Sequence, residues 1–262
     1  MTTPVGMLFA LSAVVASIVL DHGQVLPLLK LPALLLVLGG TVAATVAGST
    51  RRDLGALPRG LAVALRPARR CDPATFTRHL IEVAHAARTS GISVLERGLP
   101  ESRDDPFVRT GVELVTTTSD PERVRSVLEA EIEGLRRRHQ VGYQAFRHMA
   151  GYAPTLGILG TVVGLVQVLH GLADPAELGP SIAGAFTATL WGVLSANLVW
   201  LPIANKLKRL SDEEIAYKEL VAEGLLAVQE GISGPRLRDR LVPFLAPADR
   251  SEEGPPRRSR AA

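Results

Sequence analysis

The chain has 262 residues, 47% of them hydrophobic, and a formal net charge of +3. Because the apolar residues are gathered into four long blocks, it is neither a disordered polymer nor an ordinary soluble domain. So small a charge excess, with aromatic residues at 4%, excludes a nucleic-acid binder built on a basic stripe or a stacking platform. Cys71 is the single cysteine, which excludes an intrachain disulfide and reads as a plain cytoplasmic thiol. The six histidines lack the i, i+4 pairing and neighbouring carboxylates of a zinc site.

The first apolar block, Val5 to Leu20, has no Lys or Arg ahead of it and no small-residue cleavage pattern before Asp21, so it reads as a retained helix rather than a signal peptide. A turn at Asp21, His22, Gly23 and Pro27 leads to a second block, Leu31 to Gly48, containing Gly39, Gly40 and Thr41. Residues 1–50 are thus expected to form a transmembrane hairpin. Residues 51–150 are too many for a structureless loop and carry helical patterns of their own. Asp72 with Pro73, followed by Phe76, Leu80, Ile81, Val83 and Ala84, has the form of a capped helix start. Ser119 and Glu122 have capping-box spacing, and Val124, Val127, Leu128, Ile132 and Leu135 then repeat at helical period. This helix is expected to run on towards the third apolar block.

Residues 151–207 hold the stretch on which the chain is organised. Tyr152 to Gly171 and Ile182 to Ile203 each supply the roughly 20 apolar residues needed to cross about 30 Å of hydrocarbon. Neither contains Asp, Glu, Lys or Arg between Ala153 and Leu169 or between Ser181 and Ala204. They are instead rich in small and hydroxylic residues: Gly157, Gly160, Thr161 and Gly164, then Thr187, Thr189, Gly192, Ser195 and Asn197. Such residues let helix backbones approach closely and can bond across an interface or line a wet path. Pro154 and Pro202 each remove a backbone hydrogen bond and favour a kink.

After the fourth block, Ser211 and Glu214 repeat the capping-box spacing, and Tyr217, Leu220, Val221, Gly224, Leu225, Val228 and Ile232 form one face of a helix expected to pack on the central segment. This C-terminal helical region, 208–246, ends near Gly231, Ser233, Gly234 and Pro235, and the tail 247–262 reads as disordered. The fold class is therefore all-α, with four transmembrane helices, a helical cytoplasmic domain between spans 2 and 3, and a cytoplasmic C-terminal helix. Basic residues flank the ends at Arg51, Arg52, Arg147, Lys206, Lys208 and Arg209, whereas the opposite ends carry Lys30, Asp174 and Glu177. The positive-inside rule then puts both termini and the long central segment in the cytoplasm. No phosphate loop, nucleophile elbow or buried carboxylate pair calls for an enzyme.

The plan resembles that of the flagellar stator subunits of the MotA/PomA family. Gly39-Gly40-Thr41 is similar to the family's second-span signature. Ala153-Pro154 through Gly157, Gly160-Thr161 and Gly164 is similar to the third. Ala188-Thr189-Leu190-Trp191-Gly192 with Leu201-Pro202-Ile203-Ala204 is similar to the fourth. Ala86-Ala87-Arg88 through Gly91 and Leu95-Glu96 resembles the segment that engages the rotor, with Thr89 and Arg97 departing from the sodium-type pattern. Arg88 and Glu96 are eight residues apart, a spacing at which two charges can also simply decorate one solvated helix face. Arg236 resembles a further basic position, offset by one residue.

The resemblance implies a ring, a homopentamer, surrounding two helices of a MotB- or PomB-type single-span partner in the bacterial inner membrane. That partner brings the aspartate which this chain lacks and which an intramembrane ion carrier needs. It also implies that Arg88, Glu96 and Arg236 contact the rotor protein FliG, that Thr161 and Thr189 lie on the ion path, and that Pro154 and Pro202 take part in conformational coupling. Gly157, Gly160, Gly164 and Gly192 would pack helices. Hydroxyl oxygens suit a partly dehydrated cation, and both threonines resemble those of sodium-type stators. Because many proton-type members have a small apolar residue at the position of Thr161, the resemblance favours sodium over a proton as the transported ion, while Thr189 does not discriminate; no cofactor is expected. The alternative within the same superfamily is a TolQ- or ExbB-like energiser of a periplasmic partner, which has three spans. A scaffold without ion flux is a further alternative.

Overall fold

The computed structural model describes residues 2–22, 28–66, 72–170 and 175–247. Cys71, Gly23, Pro27, Asp174 and the tail from 248 onward lie outside the described residues. Among the described residues every regular element is helical: α1 (Thr2–Leu20), α2 (Leu31–Ala47), α3 (Arg51–Leu54), α4 (Ala56–Leu65), α5 (Pro73–Ser90), α6 (Val94–Gly98), α7 (Glu101–Asp104), α8 (Pro106–Thr117), α9 (Pro121–His170), α10 (Pro175–Ser195), α11 (Leu201–Gln229) and α12 (Pro235–Leu241). They form two compact units. One draws on Met1–Ala68 and Arg138–Leu210, the other on Arg69–Arg137 and Ser211–Ala262.

Among the described residues three helices are long and apolar enough to cross a membrane: α1, α9, and the continuous run from Leu178 to Gln229. The fourth expected span is the apolar helix α2, shorter than the others, whose 17 residues rise about 25 Å at about 1.5 Å each. A π-helical turn, Leu35–Gly39, interrupts α2, and a second, Ala196–Trp200, joins α10 to α11. The hydroxyls along α2 are satisfied within the helix, Thr41 donating to the Val37 carbonyl at 2.5 Å and Thr45 to the Thr41 carbonyl at 2.8 Å. Such i−4 back-bonding lets a polar side chain be buried in an apolar helix without a partner elsewhere. At the start of α2, Lys30 Nζ donates to the Pro180 carbonyl at 2.6 Å, and Trp191 Nε1 donates to the Leu28 carbonyl at 2.6 Å. These two bonds pin the entry of α2 against α10.

The second unit has a conventional core of large side chains, with Phe76 and Leu80 of α5, Val108 and Val112 of α8, Leu128 of α9, Leu220 and Leu225 of α11, and Leu237 of α12 all buried. Three of the helix starts here, those of α5, α8 and α9, share one device. Asp72, Asp105 and Asp120 each precede a proline, and each accepts from backbone N–H groups of the first turn: Ala74 and Thr75, Phe107, and Glu122. The aspartate supplies the cap and the proline occupies a position whose N–H has no helical partner anyway.

Two sequence expectations fail at helix starts. Asp120, not Ser119, caps α9, because Pro121 is the first helical residue and puts Asp120 at the capping position. Ser211 starts nothing: α11 runs unbroken from Leu201 through it, and an N-cap requires the non-helical backbone that a continuing helix denies. Val127, one of the residues in the helical apolar repeat, is 40% exposed.

A small-residue helix seam carrying a candidate ion path

The seam between α9 and α10 is written in one repeated spacing. Gly157, Gly160, Thr161 and Gly164 fall at i, i+3, i+4 and i+7 on α9, and Ala185, Ala188, Thr189 and Gly192 fall at the same intervals on α10, so each set occupies one helical face. Packed against each other, the two faces meet in reverse order. A methyl group added at Gly164 would lie 2.5 Å from the Ala185 Cβ, one at Gly160 2.5 Å from the Ala188 Cβ, and one at Gly157 3.0 Å from the Ala188 carbonyl oxygen. One at Gly192 would lie 2.6 Å from the carbonyl oxygen of Ala153 and 3.3 Å from the Cα of Pro154. Here backbone meets backbone, which only residues without bulk permit.

At the centre of this seam the structure brings Thr161 and Thr189 together, their hydroxyl oxygens in direct hydrogen-bond contact. Thr161 Oγ1 is also within reach of the Gly157 carbonyl at 3.2 Å and the Ala185 carbonyl at 3.3 Å, and Thr189 Oγ1 of the Gly157 carbonyl at 3.1 Å. Four oxygens thus converge, sharing two hydroxyl protons. The bond between the two hydroxyls uses one of these protons and the other goes to a backbone carbonyl, which still leaves a lone pair on each hydroxyl oxygen unused. Such a site can offer two neutral ligands to a cation and supplies no charge of its own. Among the described residues no group of three or more His, Cys, Asp or Glu side chains is placed to hold a metal.

Pro154 lies inside α9 and its backbone lines the seam beside Gly192. Pro202 follows the π-turn Ala196–Trp200. A widened turn immediately before a proline accommodates the missing N–H and the ring, so the helix continues past Pro202.

In the second unit Arg88 and Glu96 are both exposed but do not share a helix face. α5 ends at Ser90, Gly91 turns with φ +88°, and Glu96 belongs to α6. The left-handed backbone at Gly91 is a conformation that glycine adopts without penalty. Arg88 donates to Ser233 Oγ at 3.2 Å, and Glu96 accepts from Thr116 Oγ1 at 3.3 Å. The first bond brings the turn before α12, and with it the exposed Arg236, to the C-terminal end of α5.

Sequence reasoning missed the partners of the glycine stripe. Ala185 and Ala188 supply the α10 side of the contact, and the repeated spacing on the two helices was the available signal. It also missed Lys218, which is 7% exposed, pairs with the capping Asp105 and stands 5.0 Å from the centre of the Phe107 ring.

The chain is similar to known proteins over most of its length. The MotA/TolQ/ExbB proton channel family model matches residues 100–220. Motility protein A of Bacillus subtilis is 32% identical over 249 residues, 95% of this chain and 92% of that protein. Chemotaxis protein PomA of Vibrio alginolyticus is 35% identical over 168 residues, 64% of this chain and 65% of that protein. The chain of the flagellar MotAB stator complex from Bacillus subtilis superposes with a TM-score of 0.90 at 30% identity, covering 97% of this chain and all of that one. The chain belongs to the MotA/TolQ/ExbB proton channel family.

Proposed function

We propose that this chain is the ring-forming subunit of a flagellar stator that works with a MotB-type single-span partner and converts ion flow into torque on the rotor. The observation that carries the proposal is the seam itself, two close-packed apolar helices with a paired threonine cluster and no acidic side chain between Ala153 and Leu169 or between Ser181 and Ala204. An ion carrier within a bilayer ordinarily needs an ionisable group, so the partner supplies the aspartate and this chain supplies the path and the moving ring. Likeness over nearly the whole chain to the stator complex of Bacillus subtilis supports this reading.

In this account the protein has four spans, α2 being the second, in the bacterial inner membrane, with both termini and the second unit cytoplasmic. The ring is a homopentamer. Arg88, Glu96 and Arg236 face FliG, consistent with their exposure. Thr161 and Thr189 hold sodium beside the partner's carboxylate, and Pro154 and Pro202 sit where the two seam helices bend as that carboxylate changes charge.

The test is motility of a stator-deleted host supplied with this chain and its cognate partner, in sodium-free and sodium-containing media at fixed pH. The expected result is rotation that requires sodium and is lost in Thr161→Ala. Rotation indifferent to sodium and abolished by a protonophore would retain the stator and reject the sodium site. Absence of rotation despite assembly in the membrane would reject the stator.

A further inference from the structure

Helices α3 and α4 follow α2 after only Gly48, Ser49 and Thr50, and they belong to the same compact unit as the membrane helices. Thr50 and Asp53 form a reciprocal capping box, the Thr50 N–H donating to Asp53 Oδ2 at 2.9 Å, so the chain turns sharply at the end of α2 into a new helical segment. On α4, Leu57, Gly60 and Ala64 face inward. Ala64 is buried with Phe146, Met149, Ile203 and Ala204, Leu57 packs on that cluster, and a methyl at Gly60 would meet Phe146 at 3.2 Å and Leu207 at 3.3 Å. Packing on its own unit therefore uses one face of α4.

The rest of the helix surface is unpartnered and of two kinds. Leu61 and Leu65 are 39% and 42% exposed and share one flank with exposed Pro58, while Val63, 50% exposed, lies on the far side next to Arg59. Arg59, turned about 100° from Pro58 on a helix of 3.6 residues per turn, is exposed, as are Arg66 at the C-terminal end and Arg51 on α3. Asp53, the acid of this segment, is engaged in the capping box. A short helix packed on one side, with apolar side chains on a flank and arginines beyond them, emerging directly from a membrane-crossing element, has the layout of an interfacial helix.

We infer that α3 and α4 form a lipid-binding collar: Pro58, Leu61 and Leu65 enter the acyl boundary, and Arg51, Arg59 and Arg66 take the phosphates of anionic phospholipids. The occupant is the anionic lipid surface rather than a protein, because the cations are arranged beside the apolar flank at the end of a membrane helix. Guanidinium groups bond phosphate oxygens in forked geometry, and anionic headgroups lie at this depth. The inference rests on the reading of α1, α2, α9 and α10 as membrane-spanning. Its consequence is that the collar ties the inner end of α2 to the headgroup layer and gives the subunit a preference among lipids.

The test uses the full chain, purified in mild detergent and exposed to mixtures of phosphatidylglycerol and phosphatidylcholine, with retained lipid read by native mass spectrometry. Wild type is expected to retain phosphatidylglycerol preferentially. Arg59→Gln should lower that preference about fivefold, and Gln at positions 51, 59 and 66 together should lower it much further, whereas Lys at all three should keep most of it. In phosphatidylglycerol nanodiscs, Leu61→Ser with Leu65→Ser should raise deuterium uptake in 56–65. An unchanged lipid ratio in the glutamine variants, with the protein still in the bilayer, overturns the collar and leaves the spans intact. Failure of the wild type to enter a bilayer at all overturns both. A change of oligomeric state with lipid retention unaltered assigns the face to a second copy of the chain and also overturns the proposal.

Discussion

The core of the second unit and the α9–α10 seam of the first are of opposite construction. The second unit is filled by large side chains, among them Phe76, Leu80, Leu128, Leu220 and Leu225, whereas the small-residue core of the first is made of Ala33, Val37, Ala153, Ala188 and Ala196, with a glycine stripe beside it. The difference follows from the solvent. In water the burial of large apolar groups drives packing at about 25 cal/mol per Å², but between lipid-facing helices that drive is absent and cohesion comes from close van der Waals contact and hydrogen bonds. Bulk stabilises the second unit and its absence permits the seam.

Glycine substitutions should expose this contrast most sharply. Gly192→Ala sets a methyl 2.6 Å from the carbonyl oxygen of Ala153, a backbone atom that moves only with its helix. It is expected to separate the α9–α10 seam, lowering the thermal stability of the detergent-solubilised protein by about 1–3 kcal/mol or more and abolishing motility. Gly111→Ala sets a methyl equally close, 2.6 Å, to Leu225 Cδ1, the far end of a flexible side chain that can change rotamer. The same melt should report a loss of about 1 kcal/mol or less. Equal losses at the two glycines would break the comparison.

A comparable effect is expected from the buried charged contact in the second unit. Lys218 is almost fully buried and bonded to Asp105, which also caps α8. Lys218→Ala leaves that carboxylate without its cation and is expected to cost about 3 kcal/mol. Adding Asp105→Asn to Lys218→Met should recover most of this in chemical denaturation, because neither buried charge then remains. If the single and double variants are equally unstable, the pair contributes through packing on Phe107 alone.

The smallest effect belongs to the cap of α5. The Thr75 hydroxyl, outweighing the opposing effect of burial, holds the Asp72 carboxyl below its ordinary range, with help from the backbone N–H groups of Thr75 and Ala74 and the charge of Arg78. A depressed folded-state value means that the contribution is complete above the unfolded carboxylate range and disappears as pH falls through the folded value. Asp72→Ala should therefore destabilise by about 1 kcal/mol at neutral pH and by progressively less in acid. Hydrogen exchange in residues 73–77 measures both.

Helix existence was legible because apolar periodicity and aspartate-proline pairs are local signals. Asp72-Pro73 could be read directly, and the same rule would have moved the start of α9 from Ser119 to Asp120. The continuity of α11 through Ser211 was not legible, since a capping-box spacing inside a helix looks the same as one at its start. Thr161 and Thr189 were named as path candidates from the family resemblance and the chemistry of their hydroxyls, but their contact depends on the reversed register of two eight-residue patterns. That register appears only when Gly164 is seen against Ala185. The separation of Arg88 from Glu96 onto two helices turned on Gly91, whose positive φ no spacing rule announces.

The seam account makes Thr161 and Thr189 one unit rather than two independent contributors. A double-mutant cycle on torque tests this most directly, measuring tethered-cell rotation for Thr161→Ala, Thr189→Ala and both together at matched expression and fixed sodium. The account predicts strong non-additivity, the double variant turning no slower than the worse single one. Losses that multiply independently would contradict it and return both hydroxyls to helix packing.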